Sequence, residues 1–205
     1  MGVNFDLTQY RDLLLRLHNH ICPRQILGLR MGICGATRLN LPIPQTNKRM
    51  LAFVETNGCF ADGVAVATGC TLGHRTMYPV DYGKVAVTFV DSQTEQAFRI
   101  VPNPQSRSRA LEFCPNERSR WHSYLEAYQV LNDDDLLTTQ SVTLNLSLKR
   151  LISQAGHRVA CEICNEEILN EREVQRDGLV LCRACAGEVY YTPAHMMTHQ
   201  SIDTQ

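Results

Sequence analysis

The chain has 205 residues and 44% hydrophobic content, enough for one medium domain, or one domain with a small appendix, around a real core. Its formal net charge of −1 gives no global positive field to draw it onto nucleic acid or anionic lipid. No apolar run approaches the ~18 residues of a membrane span, MGVNFDLTQYRDLL lacks the pattern of a secretory signal, and Asp6 stands where a myristoylation signal needs Ser or Thr, so a cytoplasmic protein without a membrane anchor is expected.

In chain order, residues 6–19 place Leu7, Tyr10, Leu13, Leu14 and Leu17 at helical spacing, with Asp6 or Thr8 as cap, and deliver His18 and His20 at the carboxyl end. Pro23 opens a second helix through RQILGLRMGICGATRL. Its Gly28, Gly32 and Gly35 fall at i, i+4 and i+7 and call for a close-packed backbone alongside. RMLAFVET (49–56) reads as a buried strand, and NGCFADGVAVATGC as a turn and a helix from Ala61 to Thr68. KVAVTFV (84–90) and QAFRIV (96–101) form a hairpin across DSQT. PQSRSRALEFC and RSRWHSYLEAYQVL read as helices, and SVTLNLSL (141–148) as a strand or an extended link. Residues 1–152 thus form an α+β domain with a small sheet and flanking helices. SQAGHR (153–158) then marks a composition shift before a small module at 158–192. A tail at 193–205, with His195 and His199, has nothing to pack against and is expected to be partly disordered.

Nine cysteines is a high and odd count, and in a reducing compartment such density points to metal binding or thiol chemistry before disulfides. Cys161 and Cys164 form one CxxC pair and Cys182 and Cys185 another. Two-residue gaps let both sulfurs of a pair turn onto one ion, and the intervening hairpin brings the second pair to complete a tetrahedron. A redox CxxC needs no second pair at this spacing. The module reads as a treble-clef-like C4 zinc finger in which Cys182 and Cys185 open a final helix. Four thiolates leave no open position, so the zinc is structural. Between 158 and 190 four arginines face seven acids, a net of −3, which disfavours phosphate contact and favours a protein contact or a dimer interface.

A second constellation joins LHNHICP to VETNGCFADGVAVATGCTLGH. The first carries His18, His20 and Cys22, and the second Cys59, Asp62, Cys70 and His74. If the segments meet, imidazole and thiolate together suit Zn²⁺ or another borderline to soft divalent ion, and three protein ligands plus water leave a position for substrate. Cys59, near a helix start, also reads as a nucleophile or redox thiol. Each residue has a plainer reading. His18 suits a helix end as a cap, Cys34 and Cys114 suit packing, Cys70 is undecided and His74 leans structural.

HNHICP with LGLRMG, ETNGCFADGVAVATGCTLG, DYGK before a strand, and the doubled CxxC together resemble the FmdE family, named for a component of formylmethanofuran dehydrogenase. The family pattern H-x-H-x-C-P-G-x-x-L-G-x-R-x-G maps onto His18, His20, Cys22, Pro23, Leu27, Gly28, Arg30 and Gly32, with Arg24 in place of the glycine. The resemblance implies an α+β domain with a metal or active-site cleft, joined to a zinc finger of the TraR/DksA type, within a homodimer. It makes His20, Cys22 and Cys59 ligands of a second metal, Zn²⁺ by preference, with Asp62 and Cys70 as neighbours. Tyr82 and Lys84 become cleft-lining groups, and Cys22, Cys59 and Lys84 the catalytic candidates.

These readings support a metal-binding protein whose cleft takes a small molecule for thiol or Lewis-acid chemistry. Two alternatives stand beside it: an accessory or metal-handling protein for a molybdenum or tungsten enzyme complex, and a zinc-finger regulator acting through protein contacts. The chain has neither the size nor the cysteine pattern to hold a pterin or an iron–sulfur relay itself.

Overall fold

The computed structural model describes residues 5–152 and 156–194, and the chain divides after Asn145 into two compact units. The tail expected at 193–205 lies outside the described residues from His195 onward.

The first unit is organised by one buried helix. α1 (Thr8–Leu17) ends at His18, whose extended backbone still donates its N–H to Leu14 O. Only Leu14 of its apolar face is fully buried, while Leu13 and Leu17 are exposed. α2 (Pro23–Leu39) starts with proline, whose missing N–H costs nothing at the first helical position, and ends at Asn40 in the left-handed region. It is buried over most of its circumference, as a central helix must be. β1 (Met50–Val54) is buried throughout, and α3 (Cys59–Thr68) begins two residues earlier than the sequence reading placed it. That shift puts Cys59 inside the first helical turn.

Glycine sets the α2/α3 spacing. A Cβ on Gly28 would lie 2.2 Å from Phe60 O, and one on Gly63 2.2 Å from Gln25 O, so the two backbones touch. Gly32 meets the side chains of Ala67 and Thr68, whereas Gly35 faces the ring of Phe89 on the sheet. The expected close-packed backbone is therefore α3, and the last glycine of the series serves a different neighbour.

The sheet adds β2 (Met77–Pro79), β3 (Val87–Asp91), β4 (Ala97–Pro102) and, after α4 (Ser106–Phe113), α5 (Arg120–Val130) and the short α6 (Asp133–Leu136), β5 (Leu137–Val142). Its order is β2-β1-β3-β4-β5, with β1 and β2 parallel and the other pairs antiparallel. The β3–β4 hairpin matches the expected one. β5 starts upstream of SVTLNLSL, in LTTQSV, because the β4 register pairs Pro102 with Leu137 and closes at Ala97 with Val142. Arg30 of the family pattern is a structural cap: its guanidinium donates to Tyr128 O at 2.9 Å, Leu131 O at 2.7 Å and the Asp133 carboxylate at 2.7 Å. It thereby satisfies carbonyls that the end of α5 leaves open. Among the described residues no helix is long and apolar enough to cross a membrane.

The second unit opens with α7 (Leu148–Ile152) and holds two hairpins, β6 (Arg158–Ala160) with β7 (Glu167–Leu169), and β8 (Val174–Arg176) with β9 (Leu179–Leu181). The helix expected to open at Cys182 does not form. Cys182 to Gly187 is a turn, in which Arg176 donates to Ala186 O and Gly187 takes φ +101°, a value that ends helical winding.

Candidate metal centre and thiol site

In the second unit the ligand atoms of Cys161, Cys164, Cys182 and Cys185 all lie within 4.8 Å of one another. The first pair sits in the turn between β6 and β7 and the second in the turn that follows β9, so local turn geometry presents the sulfurs. Backbone N–H groups point at them: Cys182 N donates to Cys161 Sγ and Cys185 N to Cys182 Sγ, each at 3.3 Å. Such bonds from the Cys164 and Cys182 backbone lower the Cys161 thiol to about 6. Crowding against the neighbouring sulfurs, Cys182 first, pushes Cys185 up to about 12. Four sulfurs that resist joint ionisation, yet are preorganised for it, match what a tetrahedral dication neutralises. The donor set therefore fits zinc, and the apolar core beneath it is small, centred on Cys161, Ile168 and Leu181.

The first unit builds its thiol site from two helix starts. Cys22 is the N-cap of α2 in a capping box with Gln25: the thiol takes the Gln25 N–H, and Gln25 Oε1 accepts from Cys22 N at 2.8 Å. Gly58, at φ +81° and ψ −158°, makes the turn only glycine adopts readily and places Cys59 at the start of α3. Because α2 and α3 touch through Gly28 and Gly63, the two thiols meet. Burial pushes the Cys22 thiol up and contact with Cys59 adds to this, while N–H groups of Gln25 and Arg24 pull it down, and the net shift is upward. Gln25 is fully buried, and its Nε2 has no hydrogen-bond partner among the described residues.

His18 Nε2 lies 2.6 Å from Asp62 Oδ2, joining the end of α1 to the first turn of α3. His20 is exposed, its ring 6.2 Å edge-on from that of His18. Thus Cys22–Cys59 and His18–Asp62 form two contacting pairs, with His20 at the rim. Among the described residues the finger cysteines alone bring three or more His, Cys, Asp or Glu ligand atoms within 4.8 Å. Lys84 lines a groove together with Cys22, whereas Tyr82 is 65% exposed and outside it. Cys70 is not a neighbour of Cys59. It lies beyond the opposite end of α3, about 15 Å along the axis, fully buried between Gln45 Nε2 and Met50 O. Cys34 is buried against Thr139, Cys114 packs on the core, and exposed His74 stabilises a turn through Thr71. Sequence reasoning passed over Gln25, although Cys-Pro-Arg-Gln has the spacing of a capping box. It also passed over the aromatic stripe Trp121, Tyr124 and Tyr128 on α5.

Fold and site together define a two-unit α+β protein with a four-cysteine zinc finger. The family described as "FmdE, Molybdenum formylmethanofuran dehydrogenase operon" matches residues 17–138, and the chain belongs to that family. The prokaryotic dksA/traR C4-type zinc finger matches residues 154–191. A crystal structure of a tungsten formylmethanofuran dehydrogenase FmdE-like protein from Syntrophus aciditrophicus superposes with a TM-score of 0.61 at 22% identity, covering 94% of this chain and all of that one. The likeness establishes the fold. A curated relative from Archaeoglobus fulgidus, a probable S-adenosyl-L-methionine-binding protein, is 39% identical over 100 residues, 46% of this chain. The match spans 27% of the relative's length.

Proposed function

We propose that the first unit carries a second metal site, held by Cys22, Cys59 and a histidine, that serves thiol or Lewis-acid chemistry on a small molecule, with the finger as a structural element. The observation that carries it is the meeting of Cys22 and Cys59 at two adjoining helix starts, beside His18–Asp62. A thiol pair of this kind suits a borderline to soft divalent ion. Bound there, the ion would supply a polarising centre with an open position. His18 Nε2 is taken by Asp62, which leaves Nδ1 for coordination and gives the ring an orienting carboxylate. Exposed His20 is the alternative imidazole. The orphaned Gln25 amide offers a buried donor to a ligand atom or water at Cys22. The Cys22 thiol, raised by burial, stays protonated near neutrality until a bound cation displaces its proton to solvent or a base accepts it.

Leu13, Leu15 and Leu17 are exposed along α1, which supports a homodimer as part of the same proposal and is tested by light scattering in solution.

Metal analysis of well-loaded protein tests the site. We expect two divalent ions per chain, one lost in Cys22→Ala and the other in Cys161→Ala. Metal content unchanged by Cys22→Ala, or a single ion per chain, would overturn the second site.

A further inference from the structure

We infer that the groove beside Cys22 binds a small molecule that joins a flat aromatic ring to a phosphate or carboxylate. This deepens the reading above by naming the substrate class, and rests on it only in making Cys22 the reacting end.

The groove encloses about 690 Å³, the size of a small-molecule site. Three cations line it from three separate places: Arg24 on α2, Lys84 ahead of β3 and Arg107 on α4. Among the described residues no carboxylate lines it and none of the three forms an ion pair. Four arginines elsewhere in the unit are paired, Arg30 with Asp133, Arg49 with Asp91, Arg99 with Glu55 and Arg109 with Asp135. In a chain of net charge −1, three uncompensated cations around one concavity concentrate a local positive field that an anion would neutralise.

An aromatic stripe lines the same groove. Trp121, Tyr124 and Tyr128 recur at i, i+3 and i+7, so one face of α5 presents all three to the groove. Tyr124 and Tyr128 stack with centroids 5.8 Å apart and planes 10° from parallel, and Trp121, 40% exposed and in edge contact with the His122 ring, ends the stripe. A ligand with a flat ring on Trp121 and an anionic group among Arg24, Lys84 and Arg107 would engage both sets of residues at once. Arg24 thereby acquires a role. It sits in ordinary helical backbone within α2, so the glycine of the family pattern is not required by conformation here, and its side chain supplies one of the three charges.

Trp121 is the chain's one tryptophan, so its fluorescence reports on the groove directly. The full, zinc-loaded chain is titrated with AMP and with benzoate, against adenosine and benzamide as their neutral counterparts. We expect at least one of the two anions to change Trp121 emission saturably and to bind about tenfold more tightly than its neutral partner. That preference should fall below about threefold in Arg24→Gln/Arg107→Gln, and raised salt should weaken the anion alone. AMP and benzoate distinguish phosphate from carboxylate recognition. No saturable response to either up to about 10 mM, equal binding of charged and neutral partners, or a preference that survives both the double variant and high salt would overturn the inference. Both arginines are exposed, and an unchanged thermal midpoint verifies the variant's fold, while the salt series on the parent chain decides the matter if the variant does not fold. Metal content and anion preference are read separately on the parent chain, so a single ion per chain would count against the metal site alone. Loss of the metal-site reading would thus leave this result standing, and the reverse holds as well.

Discussion

The four finger cysteines come from two short hairpins and converge within 4.8 Å through local turns, whereas Cys22 and Cys59 meet only because two helices from distant parts of the chain touch at glycine. The finger spends all its thiols on one closed coordination sphere over a very small apolar core. The first unit already has a large core, and its thiol pair sits at helix starts beside a groove. A thiol cluster that holds a fold together and one that a fold holds together should respond oppositely to perturbation. Cys161→Ala should show the largest effect, because structural zinc binding at stake in such modules is on the order of 10 kcal/mol. We expect loss of zinc and rapid proteolysis of the second unit, with the melting of the first unchanged. A finger that stays protease-resistant without zinc would break the comparison.

Gly63→Ala tests the other half. Its new Cβ would sit 2.2 Å from Gln25 O, a rigid backbone atom, so α2 and α3 must separate. We expect a cost of about 2–4 kcal/mol in thermal or denaturant unfolding of the first unit. Cross-linking of Cys22 to Cys59 by a short bifunctional thiol reagent should fall with it, while finger zinc stays bound. Stability lost with cross-linking intact would mean that the thiols meet for another reason.

A smaller effect is expected for Asp62→Asn, which keeps the shape but removes the charge facing His18. The pair is about one-third exposed on each side, so stability should change by less than about 1 kcal/mol. If Asp62 orients a ligating histidine, divalent ion affinity at the first-unit site should drop about tenfold. Calorimetric titration in which the variant binds like the parent chain would remove Asp62 and His18 from the site and leave His20 as the imidazole.

The same contrast governs what the sequence disclosed. The finger was legible in full as to its ligands, because CxxC spacing and hairpin closure are local; the helix expected at Cys182 is replaced by a turn, since Arg176 and Gly187 end the winding from outside the motif. The glycine series on α2 announced a close neighbour, but spacing alone does not say that Gly28 faces a helix and Gly35 an aromatic ring. Cys70 shares a sequence segment with Cys59, yet the full length of α3 lies between them. Trp121, Tyr124 and Tyr128 form a stripe visible in the sequence, but only tertiary packing brings Arg24, Lys84 and Arg107 to the groove that the stripe lines.

The smallest expected effect concerns the protonation of Cys22. Burial is the first cause of its raised thiol and contact with Cys59 a lesser one, opposed by N–H groups at the start of α2. A raised folded value means less thiolate at a given pH, so alkylation of Cys22 should set in at higher pH than for a free cysteine. Cys59→Ala removes only the lesser cause, so the profile should move down without reaching the free value. Mass spectrometry of the Cys22 peptide after timed alkylation across an alkaline pH series reads both shifts. A profile that collapses to the free value in Cys59→Ala would mean that the neighbouring sulfur, and not the apolar surround, governs Cys22. The pair would then resemble the crowded thiols of the finger more closely than its position on two helix starts implies.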